Sequence, residues 1–188
     1  MKFSSPFLTA LSFVLLTACS SGPTRSFYVL KATGPAPARS GIGLGIGPVS
    51  FTPYLVERPN LVFQSSGNRL EFTDDHQWAG DLEGDFTRVL ATNLGRRMGT
   101  GNLRTYPWQR ESDLNYQITV DVVRFQGAGN GESVLEANWR AYRLPGSALI
   151  ASANTTVRDD LERDGFDELA ASQSRLVDKL AAVIAEAL

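Results

Sequence analysis

Cys19 is the one cysteine among 188 residues, and it closes the run Leu16-Thr17-Ala18-Cys19. Ahead of it lie Lys2 and a nearly uncharged stretch from Pro6 to Ala18. A thiol in that place points to thioether formation with a diacylglycerol. Small residues before the sulfur let the backbone enter a signal peptidase, and cleavage frees an amino group that takes a further acyl chain. A charged start, a short apolar run and a small-residue cut site are the parts of a secretory signal. The run is shorter than the ~20 apolar residues a spanning helix needs. The expectation is a signal peptide over residues 1–18 and a lipid anchor on Cys19, which also accounts for an odd cysteine in an exported chain. Each buried CH₂ contributes about 0.8 kcal/mol, so two or three chains hold permanently. Ser20, where Asp would favour retention at the inner membrane, points to the periplasmic face of the outer membrane.

Other chemistry finds little to work with. His76 is the only histidine; a Ser-His-Asp site would have to use it, and its neighbours suggest the start of a helix instead. Zinc needs three or four His, Cys or carboxylate ligands. Gly43 and Gly45 begin a phosphate-loop pattern whose third place falls on Pro48, which breaks it. Their alternation with Ile42, Leu44 and Ile46 suits a strand crossed closely by another segment. Residues 160–165 imitate a calcium loop, but the twelfth place is Ala171; an acidic turn before a helix N-terminus is the better reading. Asp81, Glu83 and Asp85 read as a wet helix face. The formal net charge of −2 and the lack of a basic stripe argue against nucleic acid. No catalytic residue, metal or cofactor is expected beyond the acyl chains on Cys19, and no enzyme.

One stretch has the character of a surface: FTPYLVERPNLVF, residues 51–63. Its two prolines forbid a regular helix or a central strand. The docking candidates are Pro53, Tyr54, Leu55, Glu57, Arg58 and Pro59. Two readings stand side by side. The loop packs across the sheet edge with Glu57 and Arg58 paired, or it is a surface for a partner, since loops carry function.

The elements that would position these residues follow from periodicity. A lipidated tether covers residues 19–26 and a single domain residues 27–188. Strands are expected at 27–30, 42–51, 103–106, 116–122, 135–141 and 149–157, with a loop over 31–41 and a turn over 126–131. Residues 61–64 and 69–72 form a hairpin. Asp74 and Gln77 stand in capping-box register before a helical stripe of Trp78, Leu82, Phe86, Val89, Leu90 and Leu94, which Gly95 or Gly99 would end. A closing helix from Phe166 carries Leu169, Leu176, Leu180, Val183, Ile184 and Leu188. The fold class is α+β: a two-layer sandwich with a mostly antiparallel sheet, two amphipathic helices on one face and a polar face open to water or a partner.

Several of these stretches, in order, resemble the PqiC/YmbA-like lipoproteins, auxiliary components of ABC- and MCE-type transport systems. They are Tyr28-Val29-Leu30 soon after the anchor motif, the ungapped Pro53-Tyr54-Leu55-Val56-Glu57-Arg58-Pro59-Asn60-Leu61-Val62, Trp78-Ala79, the run from Arg88 to Leu94, Pro107-Trp108, Arg124-Phe125, and Leu135, Ala137 and Trp139. Glu57 and Gln126 stand where that family more often has Asp, and Leu55-Val56 where it favours Tyr-Leu. The resemblance covers nearly the whole mature chain. It implies an outer-membrane-anchored partner of a periplasmic MCE-domain protein and its inner-membrane permease, in phospholipid transport between membranes. Self-association into a ring would match a tubular conduit by symmetry. The alternative is a periplasmic shuttle with an acyl-chain pocket, which needs a continuous apolar cavity of ~300 Å³ or more.

Overall fold

The computed structural model describes residues 24–35, 37, 40–108 and 113–188. Cys19, the signal segment and the first part of the tether lie outside them. Among the described residues the order is β1 (Ser26–Tyr28), β2 (Leu44–Phe51), a 3₁₀ turn (Pro53–Leu55), β3 (Asn60–Ser66), β4 (Arg69–Trp78), α1 (Leu82–Arg97), β5 (Leu103–Thr105), β6 (Tyr116–Ala128), β7 (Glu132–Arg143), β8 (Ala148–Asp160) and α2 (Phe166–Glu186).

The strands form one mixed sheet. The long ladders β6–β7 and β7–β8 are antiparallel, as is the β3–β4 hairpin. Shorter parallel ladders join β1 to β4, β5 to β2, and both β2 and β3 to one edge of β6. Alternation decides which face is covered. Leu44, Ile46, Ile118, Val120, Val122, Leu135, Ala137, Trp139 and Ala141 are buried with Phe86, Val89, Leu90 and Leu94 of α1 and Leu176, Val177, Leu180 and Ile184 of α2. An extra residue in β6, between the pairs Val122–Ala137 and Arg124–Glu136, turns Phe125 and Leu135 to the same side. In β2 the register likewise shifts between Ile46 and Val49, where Gly47 takes φ 123°. The core is filled by Phe86 and Phe125, whose rings meet edge-on at 5.6 Å, with Phe51 and Trp78 against them.

The glycines of β2 do what their spacing suggests. A Cβ on Gly43 would lie 1.9 Å from the Asp113 carbonyl oxygen, and one on Gly45 would lie 3.0 Å from the Trp108 ring. Another segment crosses β2 there, held by Gly43 N–H donating to Asn115 Oδ1 at 2.7 Å.

Two expectations need correction. Residues 74–77 do not cap a helix. They belong to β4, and α1 begins at Leu82 with Asp81 as its N-cap, accepting from Glu83 N–H at 3.1 Å. The reason is non-local: β1 pairs with His76, Gln77 and Trp78 and draws them into the sheet. The expected turn over 126–131 is shorter, because β6 runs to Ala128. Gly127 serves close packing there, since a Cβ would press on Phe63 and Leu169 at 3.1 Å. Gly99, at φ 66°, ends α1, while Gly95 stays within the helix.

Candidate functional site

The proline-flanked stretch leaves β2 at Phe51 and turns at once. Pro53 opens a single 3₁₀ turn, a position where its missing N–H costs nothing, and Pro53 C=O accepts from Val56 N–H at 3.1 Å and Glu57 N–H at 2.9 Å. Both ends are tied down. Thr52 N–H donates to Val122 C=O at 2.9 Å, and Trp78 N–H donates to Pro59 C=O at 2.6 Å. Between them Leu55, 2% exposed, drops into the core as a peg. The Tyr54 hydroxyl donates to Gln126 Oε1 at 2.9 Å. Burial pushes the Tyr54 phenol up, Arg124 opposes this and Glu136 adds to it.

The six candidate residues therefore divide. Leu55 is internal and Tyr54 half-buried; Pro53, Glu57, Arg58 and Pro59 are exposed, together with Val56 at 42%. Among the described residues Glu57 and Arg58 form no ion pair. Arg58 instead places its guanidinium carbon 5.7 Å from the centre of the Phe72 ring, a cation–π contact. The outward group is thus an apolar residue, an unpaired carboxylate and a guanidinium on a fixed backbone. Such a group can meet a partner by shape and charge; within residues 53–59 no serine, threonine, cysteine or histidine stands beside the Glu57 carboxylate, and the one hydroxyl, that of Tyr54, donates to Gln126. Gln126 and Phe72, which position it, carry no local signal in the sequence; they join the loop only through the pairing of β3, β4 and β6.

At the same end of the sheet stands β1, next to β4. The Tyr28 hydroxyl donates to Asp167 Oδ1 at 2.9 Å and lies 2.8 Å from His76 Nδ1. Burial raises the Tyr28 phenol, and its hydrogen bond to Asp167 raises it further. The His76 ring stacks on Phe166, centroids 4.0 Å apart. His76 is therefore a strand residue pinning β1 and β4 to the start of α2, not a residue at a helix start. Past β1 the chain runs over the helices: Arg88 of α1 donates to Leu30 C=O at 3.4 Å, Lys31 N–H donates to Ser174 Oγ of α2 at 3.2 Å, and Arg96 reaches the carbonyls of Thr33 and Pro35.

Among the described residues no group of three or more His, Cys, Asp or Glu side chains is placed to hold a metal ion, and no helix is long and apolar enough to cross a membrane. Three surface clefts, of about 280, 410 and 350 Å³, are each edged by charged side chains, Lys31 and Asp167 in the first, Glu83 and Arg88 in the second, Arg96 and Asp178 in the third.

A family model described as "ABC-type transport auxiliary lipoprotein component" matches residues 28–185. The chain belongs to that family. No curated protein matches it. The auxiliary lipoprotein fold of this chain resembles a crystal structure of an uncharacterized protein, with a TM-score of 0.72 and 22% identity over 87% of this chain and 98% of that one. It also resembles protein XCC0632 from Xanthomonas campestris, assigned to family model DUF330, with a TM-score of 0.66 and 14% identity over 85% and 92% of the two chains. These likenesses place the auxiliary lipoprotein on a known fold.

Proposed function

We propose that this auxiliary lipoprotein is held on the periplasmic face of the outer membrane by acylated Cys19 and docks the far end of an MCE-type conduit, working with that protein and its inner-membrane permease in phospholipid transport. The observation that carries the reading is the loop over residues 53–59. It is tied at both ends and turned outward, and Trp78, which donates to Pro59 C=O, pairs with Tyr28 of β1, the strand that follows the segment carrying Cys19. β4 lies between β1 and β3, the strand the loop enters at Asn60, so that end of the loop is about two strand spacings, ~10 Å, from the strand that follows Cys19. A surface meant to meet a conduit at the bilayer belongs there.

The filled core favours docking over the shuttle. Phe86, Phe125, Leu176 and Leu180, all fully buried, take up the space between helices and sheet where an acyl chain would have to lie. Self-association belongs to the same reading, because a ring of copies matches a tube end.

The test is Arg58→Glu. Arg58 is exposed, so the fold should survive with at most the loss of the Phe72 contact, about 0.5–1 kcal/mol, while co-purification with the MCE partner should fall ~10-fold or more, the effect of reversing a charge inside an interface. Undiminished co-purification would reduce the loop to scaffolding. The anchor is tested separately: Cys19→Ala should leave uncleaved precursor and empty the outer-membrane fraction.

A further inference from the structure

From Arg25 to Lys31 the chain reads Arg-Ser-Phe-Tyr-Val-Leu-Lys, and exposure alternates along it. Arg25, Phe27, Val29 and Lys31 are exposed, while Tyr28 and Leu30 turn inward. Phe27 is 61% and Val29 44% exposed, two of the most open large apolar side chains among the described residues. Within those residues neither Arg25 nor Lys31 enters an ion pair. Two apolar groups between two cations do nothing for the core.

The stripe is held out on purpose-built supports. Ala79 N–H donates to Tyr28 C=O at 2.7 Å, the Tyr28 hydroxyl is fixed by Asp167 and His76, and Lys31 N–H is fixed by Ser174. Beside it runs the 280 Å³ cleft, floored by Ala170 and Ala171 of α2. These small side chains leave room next to Phe27 and Val29, and the one carboxylate in the lining, Asp167, accepts from the Tyr28 hydroxyl.

The position of the stripe along the chain names its occupant. Five residues lie between Cys19 and Arg25, a reach of no more than ~20 Å even at full extension. A domain tied by acyl chains at Cys19 therefore keeps Arg25 within that distance of the lipid surface, and Phe27, Val29 and Lys31 follow it along the chain within ~40 Å at most. Aromatic and aliphatic groups enter the boundary between headgroups and acyl chains, and flanking Arg and Lys meet the phosphates. We propose that Arg25, Phe27, Val29 and Lys31 form a lipid-contact stripe that seats the domain on the bilayer in one fixed orientation. The inference rests on the anchor reading. With the stripe seated, the loop over residues 53–59 faces its partner at the membrane and the polar sheet face stays in water.

The experiment uses the full mature protein reconstituted into vesicles of phosphatidylethanolamine and phosphatidylglycerol. Val29→Cys and, separately, Asn138→Cys on the open sheet face carry a spin label, and Cys19 is read by mass on the same samples. The expected result is an acylated Cys19, a Val29 label ~5–10 Å below the phosphates and an Asn138 label in water. In Lys31→Glu/Arg25→Glu protein the Val29 label should move outward. An acylated, vesicle-bound protein whose Val29 label is as water-exposed as the Asn138 label overturns the stripe and leaves the anchor standing. A Val29 label shielded equally in detergent-free oligomers and in vesicles assigns the stripe to protein contact and overturns the proposal. A bare Cys19 thiol removes the anchor, and the stripe falls with it.

Discussion

At the scale of single residues, the tightest electrostatics lie where α2 meets β8. Arg175 donates to Glu168 Oε1 at 2.6 Å and to Asp159 Oδ2 at 2.7 Å, and Lys179 meets Asp159 Oδ1 at 2.7 Å. Ser172 donates to Asp159 at 2.7 Å and contacts Ser133 of β7. Glu168 is 2% and Asp159 8% exposed. The hydrogen bond from Arg175 holds the Glu168 carboxyl low against its burial. Burial alone would raise Asp159, but hydrogen bonds from Lys179, Ser172 and Arg175 outweigh it and hold that group low as well. Groups depressed in the folded state contribute stability above the ordinary carboxylate range near ~4 and lose it as pH falls through the depressed values. Arg175→Met leaves Glu168 buried without its main partner. It should cost about 3 kcal/mol near neutral pH, toward the low end of such losses because Arg175 is partly exposed. Thermal melts followed from pH 7 to pH 3 should show the parent falling and the variant converging on it. Parallel curves would mean that the network is not what couples stability to pH. Leu55→Ala tests the peg under the proline-flanked loop: removing a side chain that is 2% exposed should cost about 2–4 kcal/mol, read by denaturant melts.

At the scale of elements, β2 is the clearest case of a strand specified by what it lacks. Gly43→Ala would drive a methyl group into the Asp113 carbonyl, and overpacking of that kind costs about 1–3 kcal/mol. The loss should come with faster amide exchange at Asn115 and Tyr116, whose N–H groups donate to Gly43 C=O; unchanged exchange would show that the crossing is not held through Gly43. This position was legible in the sequence, because glycines alternating with Ile42, Leu44 and Ile46 leave one face of a strand bare. The start of α1 was not. Asp74 and Gln77 have capping-box spacing, and Trp78 falls on the same apolar period as Leu82 and Phe86. Yet Trp78 reaches the core from the end of a strand, because β1, some fifty residues earlier, pairs with it. Local pattern sees period and caps; it does not see a three-residue strand arriving from elsewhere. The candidate loop shows the same division. Its prolines marked an irregular surface segment, while the burial of Leu55 and the contact of Arg58 with Phe72 depend on β3–β4 pairing that no spacing within residues 51–63 encodes.

At the scale of the whole molecule, the two faces of the sheet divide the work. One is sealed by the helices. The other carries polar cross-strand contacts, Ser50 to Asp121 at 3.1 Å, Asn154 to Asn138 at 2.9 Å and Arg124 to Glu136 at 2.7 Å. Of the strands with one side unpaired among the described residues, β1 and β5 span three residues each and β8 is the long one. Long bare edges pair with other chains unless they are blunted. This one is blunted only at its ends: the register shifts between the pairs Ala141–Ala151 and Tyr142–Leu149, leaving Ile150 as an extra residue, and Lys179 takes the Arg158 carbonyl at 2.7 Å. Between them residues 151–157, Ala-Ser-Ala-Asn-Thr-Thr-Val, hold neither charge nor proline. If copies associate, as docking on a ring-shaped conduit suggests, this window is where strand can meet strand. An acyl anchor of the kind proposed for Cys19 would raise the local concentration of copies on a bilayer and favour that association without new contacts. Ser152 and Thr156 lie on the open face, opposite Arg140 and Glu136, so lysines there would guard the edge without touching the core. Native mass spectrometry of the acylated protein from detergent should show the parent as an oligomer and Ser152→Lys/Thr156→Lys as a monomer with the parent's melting temperature. A monomeric parent, or an oligomer indifferent to both lysines, would remove β8 from any interface.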